Sequence, residues 1–165
     1  MKSNDNFAGA IAFLNSLNLR NANGTDFDIT QSGLNGYKQY KTWLLNANAT
    51  NMAYMLSAQL SAMELNVRYN QVSGGALIYA PGTLSANAQG FATVNSVMSE
   101  ANTALGVNNV DTSKPADGIP DVLKILDGNL QRPYYQALKN ALDNGNNNLN
   151  FVQSQPCLYT FPNSN

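Results

Sequence analysis

Two short stretches carry oxygen-bearing side chains at spacings that could hold calcium. In the first, amide and carboxylate groups alternate around Gly24, and they belong to Asn21, Asn23, Asp26 and Asp28. Calcium takes about six to eight oxygen ligands, and an EF-hand loop is closed by a distant Glu that this stretch lacks. The same residues also favour a simple turn after a helix, because Asn and Asp side chains bond to the backbone nearby.

The second stretch is DGIPD at residues 117–121, which is typical of the end of an Asp-rich calcium repeat. Such repeats alternate Asp upstream as well, but Ser113 and Pro115 occupy those positions here. The carboxylates that remain are Asp111, Asp117 and Asp121. A turn followed by a short helix from Pro120 explains the same pattern. Calcium is therefore the one cofactor that the sequence leaves open, and we otherwise expect none.

The inventory of catalytic side chains is short. The chain has no histidine and one cysteine, which excludes Cys–His nucleophile pairs and zinc sites of the Cys/His type. Glu64 and Glu100 could form the acid/base pair of a glycoside hydrolase. Their spacing does not favour such a pair over two unrelated surface carboxylates. Glu64 and Arg68 are four residues apart, which is the spacing of an ordinary ion pair within a helix. We predict that the protein is not an enzyme, with a carboxylate-based hydrolase as the third alternative.

The charge and the composition of the chain limit the kinds of partner that it can bind. Charged residues make up 12% of the chain and the net charge is −1. Asparagine is the main polar residue instead. It makes up about one residue in six, far above its share in an average protein. No basic footprint for nucleic acid is present, and no apolar run reaches the length of a membrane span. The first residues do not predict a signal peptide.

The stretch NATNMAYMLSAQLSAMELNVRY at residues 48–69 has the length of a long helix and organises the predicted fold. Its main apolar side chains recur every three or four residues, and they are Met52, Leu56, Leu60, Met63 and Val67. Asn48 and Thr50 are its expected caps. A helix that is apolar nearly all round belongs in the middle of a domain. We predict a mainly α fold, a compact bundle of about five helices around this central helix, with at most a small two-stranded β ribbon.

Shorter segments surround the central helix. We predict helices over residues 4–18, over residues 37–46, from Ser85 with Phe91 on its buried face, from Pro120, and from Pro133 to Gly145. Residues 76–80, between glycine-containing turns, predict a short strand. No repeat or linker divides the chain. Residues 1–165 are therefore expected to form one helical domain with an extended tail from about residue 149.

The tail holds the candidate assembly residues. The segment Leu158, Tyr159, Thr160 and Phe161 can return to residues 77–80 of its own chain or add as a strand to another copy. Cys157 precedes it, and a lone cysteine either pairs outside this chain or is an inert thiol. An open head-to-tail contact of this kind builds a filament. We therefore predict self-association in which the tail takes part.

Several stretches resemble a known domain. They read YKTWLLNA at residues 40–47, NMAYMLSAQLSAMELNV at 51–67, YQALKNALD at 135–143, NNN at 146–148 and FVQ at 151–153. The domain occurs in large, uncharacterised bacterial secreted or surface proteins, often beside Ig-like or SdrD-type B repeats. The resemblance spans about residues 21–157, with residues 117–127 as a longer loop than the pattern. It carries over no catalytic residue, and it implies an extracellular or cell-surface, structural or adhesive role.

The sequence thus predicts a non-catalytic extracellular module that packs against copies of itself or other surface proteins. A neutral, amide-rich surface suits such packing, because many copies can approach with little charge repulsion. The alternative is a calcium-dependent module that binds a ligand or a glycan through the two acidic loops.

Overall fold

The computed structural model describes residues 4–106 and 132–152, with side chains from residue 7 onward. The described elements, in chain order, are α1 (Asn4–Leu14), α2 (Gly33–Asn46), α3 (Met52–Arg68), β1 (Leu77–Tyr79), β2 (Phe91–Thr93), α4 (Val94–Leu105) and α5 (Arg132–Asn146). The predicted class is confirmed: five helices with one two-stranded antiparallel ribbon in these residues. None of the described helices combines the length and the apolar character that crossing a membrane requires.

Helix α3 lies at the centre of the core, as its apolar periodicity predicts. It packs most extensively against α5 and also against α4, while α1 packs against α2. Four of the five predicted stripe residues are fully buried, namely Met52, Leu56, Leu60 and Met63, and Val67 is half-buried. Ser57 and Ser61 are buried too, and their hydroxyl groups bond back to carbonyl oxygens of the same helix. Small side chains there allow neighbouring helices to approach closely.

The start of α3 differs from the prediction. Asn51 is its N-cap, because its Oδ1 accepts a hydrogen bond from the N–H of Ala53 at 2.9 Å. Asn48 and Thr50 instead form a separate turn, in which Asn48 Oδ1 accepts from the N–H of Thr50 at 3.0 Å. That turn holds the backbone outside the helix until residue 51.

The helix predicted from Ser85 begins nine residues later, so that part of the prediction is wrong. Residues 91–93 form β2 alongside β1, and α4 follows directly. Thr93 makes the transition, because its Oγ1 accepts from the N–H of Ser96 at 3.1 Å and caps α4. Phe91 therefore lies in a strand, and the pairing with β1 overrides the helical spacing that links it to Val94 and Met98 in the sequence.

The remaining bounds shift by a few residues. Helix α1 ends at Leu14, and α2 begins at Gly33, four residues before the predicted start. Helix α5 confirms the predicted last helix, and the three side chains predicted to face inward, Tyr135, Leu138 and Leu142, are buried. The short helix predicted from Pro120 lies outside the described residues.

Candidate functional site

The first predicted calcium loop is closed by a buried arginine. Arg20 is 3% exposed, and its backbone forms an antiparallel bridge with Asp26. Its guanidinium donates from Nε to the carbonyl oxygen of Leu105 at 2.7 Å, and Nη1 lies 2.6 Å from Asp26 Oδ1. The Asp26 carboxylate is therefore the counter-ion of an arginine that ties this loop to the end of α4. Sequence reasoning missed Arg20, because nothing local marks a single arginine as buried.

The other side chains of this loop bond mainly to one another. Asn21 Nδ2 donates to the backbone oxygen of Asp26 at 2.7 Å. Asn23 Oδ1 accepts from both the N–H and the hydroxyl of Thr25, at 3.2 Å and 2.6 Å. Asp28 uses its backbone oxygen to accept from Gln39 at 3.2 Å. These bonds are those of an Asx turn, and they leave fewer free oxygens than calcium prefers.

In the described ranges, no group of three or more His, Cys, Asp or Glu side chains is placed to hold a metal ion. Calcium binding at Asn21, Asn23, Asp26 and Asp28 stays a prediction, and one oxygen of the Asp26 carboxylate is already paired with Arg20. The second candidate set, Asp111, Asp117 and Asp121, lies outside the described residues. So do the candidate assembly residues Cys157, Leu158, Tyr159, Thr160 and Phe161.

The Glu100 carboxylate anchors the loop that precedes β2. Its two oxygens accept from the N–H groups of Leu84 and Ser85, both at 2.7 Å. Oε1 also accepts from the hydroxyl of Tyr134 at 2.8 Å. Burial, followed by this hydrogen bond to Glu100, raises the pKa of Tyr134 well above its usual value. The Glu100 carboxylate thus links α4 to α5 and to the loop.

Glu64 lies in a different environment on α3. It is half-buried, and desolvation raises the pKa of its carboxyl group. Its predicted partner Arg68 instead lies over the ring of Phe13, with the guanidinium carbon 4.6 Å from the ring centre. No hydrogen bond within the described residues joins Glu64 to Glu100, so the arrangement does not support an acid/base pair.

The two-stranded ribbon carries a further candidate binding surface. Strands β1 and β2 pair in antiparallel register, with Ile78 opposite Ala92. Residues 150–152 add a third segment on the other side of β1, where Ile78 bridges to Phe151. The N–H of Tyr79 donates to the oxygen of Asn150 at 2.9 Å, and Val152 donates back to Leu77 at 2.8 Å. We call β1, β2 and residues 150–152 together the extended ribbon.

One face of the extended ribbon is covered by the core and the other is exposed. Ile78 and Ala92 point inward and are buried. Leu77, Tyr79 and Val152 point outward, with 41%, 48% and 36% of their surface exposed. Phe91 and Thr93 lie half-buried opposite Tyr79 and Leu77 on the same side. We call these five residues the outer face, and no charged side chain belongs to it.

The two edges of the extended ribbon differ. The backbone of Phe91 on the β2 edge is closed by Asn87, whose N–H donates to the Phe91 oxygen and whose Oδ1 accepts from the Phe91 N–H, both at 2.9 Å. On the opposite edge, the N–H and the carbonyl of Phe151 form no hydrogen bond to any described residue. That edge can accept another strand.

Comparison of the chain with protein-family models, with curated proteins and with solved structures finds no match. The candidate site therefore depends on the geometry alone. Of the residues that form it, sequence reasoning identified the strand of Leu77 and Tyr79 but missed β2 and residues 150–152. The signal for β1 was the apolar run of residues 76–80 between glycine-containing turns.

Proposed function

We propose that this protein is a non-catalytic extracellular module with a structural or adhesive role, and that its outer face binds another copy of the chain. One observation carries the proposal: an uncharged, partly aromatic face is exposed beside a strand edge with which no described residue pairs. An exposed apolar patch of this kind is typical of a surface that meets another protein. The edge at Phe151 adds backbone hydrogen-bonding groups, which give a paired strand a defined register.

The chemistry of the outer face favours a partner of the same composition. Leu77, Tyr79 and Val152 offer apolar contact, and the neighbouring Thr93 offers a hydroxyl group. A second copy presents the same uncharged groups, and a net charge of −1 adds little repulsion between copies. Leu149, 74% exposed just before the third segment, extends the apolar surface. The resemblance to bacterial surface proteins is the reason for proposing an extracellular location and other surface proteins as further partners.

A non-catalytic role agrees with the contacts that the acidic side chains make within the fold. The Glu100 carboxylate holds two backbone N–H groups and a tyrosine hydroxyl, and Asp26 neutralises buried Arg20. These two carboxylates therefore have structural roles. The remaining described polar surface is dominated by amides, which neither act as general acids nor supply a nucleophile at neutral pH.

The first test removes the tail that could supply the added strand. We expect the intact chain to self-associate with rising concentration in sedimentation velocity, and a variant lacking residues 157–165 to associate more weakly. The deletion removes Leu158 and Phe161, and with them the strand that we propose to pair with the open edge at Phe151. Cys157→Ser in the intact chain is the control, and it separates strand addition from a disulfide between copies.

Two results would contradict the proposed role of the tail. If the intact and the shortened chains are both monomeric at high concentration, the proposal of self-association is wrong. If both associate equally, the assembly stands and its contact lies on the outer face or the helices, without the tail.

A further inference from the structure

A groove beside the outer face has the composition of a carbohydrate site. It lies between the end of β1 and α5, with a volume of about 370 Å³, within the usual range of about 300–1,000 Å³ for ligand pockets. Tyr79 and Pro81 form one wall, and Pro133 lies at the start of the other. None of the described residues that line it is charged.

Three amides form a row along the α5 wall. Gln136, Asn140 and Asn144 are spaced four residues apart, which places them on one face of the helix over two turns. All three are exposed, and their side chains form no hydrogen bond to the described part of the chain. Each amide offers a donor and an acceptor, and a sugar hydroxyl group requires both.

The tyrosine wall is held in place. The ring of Tyr79 lies 5.5 Å from the ring of Phe91, centre to centre, at an angle of 57°. It also covers Gly90, where a Cβ atom would come within 2.7 Å of the Tyr79 ring and where φ is +86°. Only glycine fits that combination without strain. The Tyr79 side chain is nevertheless 48% exposed, so a ligand can contact the ring.

A half-buried amide, that of Asn150, fixes the distance between the two walls. Asn150 Nδ2 donates to the carbonyl oxygens of Tyr79 and Ala141, both at 2.9 Å. The first acceptor belongs to β1 and the second to α5. The aromatic ring and the row of amides are therefore set relative to each other before any ligand arrives, which lowers the entropy cost of binding.

We propose that this groove binds a neutral oligosaccharide. A sugar ring has an apolar face of C–H groups, which suits the exposed Tyr79 ring, and a rim of hydroxyl groups, which suits the three amides. The described lining residues are uncharged, which favours a neutral sugar over an acidic one. No metal takes part, which distinguishes this site from the calcium-dependent alternative. The groove shares Tyr79 with the outer face, whereas the row of amides on α5 lies outside that face.

The test titrates the full chain, labelled with ¹⁵N, with neutral hexasaccharides of glucose, mannose and N-acetylglucosamine. We expect at least one of them to shift the side-chain amide resonances of Gln136, Asn140 and Asn144, with or without calcium. Asn140→Ala should weaken binding by about tenfold, the loss expected for one or two hydrogen bonds. Tyr79→Ala should weaken it by at least about as much.

Matched controls lie elsewhere on the surface. Asn35→Ala on α2 removes an exposed amide and Tyr69→Ala removes an exposed ring, and neither residue lines the groove. Both controls should bind like the unaltered chain. Leu77→Ser should change self-association but not sugar binding, and Asn140→Ala should do the reverse, so the two proposals can fail separately. The carbohydrate proposal is overturned if none of the probes binds at millimolar concentration, or if Asn140→Ala, still folded by circular dichroism, binds as tightly as Asn35→Ala.

Discussion

Buried tyrosine hydroxyl groups join the helices at the residue scale. Tyr135 on α5 is 1% exposed, and its hydroxyl donates to the carbonyl oxygen of Ala104 on α4 at 2.5 Å. Between α2 and α3, the Tyr40 and Ser61 hydroxyl groups share a hydrogen bond at 3.0 Å, and the Tyr54 hydroxyl donates to the carbonyl oxygen of Trp43. Burial raises the pKa of Tyr135 to about 12, against a small opposing effect of the Arg20 charge. The folded state therefore holds the Tyr135 proton more tightly than the unfolded chain does.

This pKa difference predicts a loss of stability in alkali. The contribution of Tyr135 is complete below its ordinary pKa of 10.0 and is lost as the pH rises towards about 12. At about 1.4 kcal/mol per pKa unit, the loss is about 2–3 kcal/mol in the free energy of unfolding. Tyr135→Phe should be less stable at neutral pH, because it loses the bond to Ala104, but should lose less on going to high pH. Urea denaturation of both chains from about pH 9 to about pH 12 measures the difference. Equal losses would show that Tyr135 does not carry this linkage.

Close helix contacts make a prediction at the scale of elements. A Cβ atom on Gly36, in the first turns of α2, would lie 2.4 Å from the backbone oxygen of Gln31 and 2.5 Å from Ile11 Cδ1 of α1. Gly36→Ala should therefore destabilise the protein by about 1–3 kcal/mol, as overpacking does. Gly9→Ala is the matched control, because the nearest atom there is 3.9 Å away and alanine favours the interior of α1 by up to about 1 kcal/mol. Urea denaturation separates the two, and equal stabilities would contradict the α1–α2 contact.

The elements also show what sequence could and could not predict. Helices α3 and α5 carry apolar residues at helical spacing along most of their length, so both were predicted close to their observed bounds. Strand β2 was missed because Phe91, Val94 and Met98 have helical spacing, and only the pairing with β1 decides against it. Arg20 was missed for the same reason: its partners Leu105 and Asp26 are brought together by the fold.

At the scale of the whole molecule, the helices cover one side of the ribbon and leave the other exposed. The alternation in β1 places Leu77 and Tyr79 on the outer side, and the uniformly apolar sequence of residues 76–80 predicts the strand but not which face is exposed. The position of Val152 is not readable, because it depends on Asn150 joining β1 to α5 across the fold. The outer face is therefore a product of three distant segments, and its function follows from their assembly.

The most direct test of this account replaces the outer face and measures association. In sedimentation velocity over a range of concentrations, the intact chain should associate, and the double variant Leu77→Ser, Val152→Ser should stay monomeric. The control is the double variant Leu34→Ser, Leu45→Ser, whose side chains are 58% and 72% exposed on α2, and it should associate like the intact chain. A folded Leu77→Ser, Val152→Ser chain that associates as strongly as the control, or an intact chain that is monomeric throughout, would contradict the proposed role of the outer face.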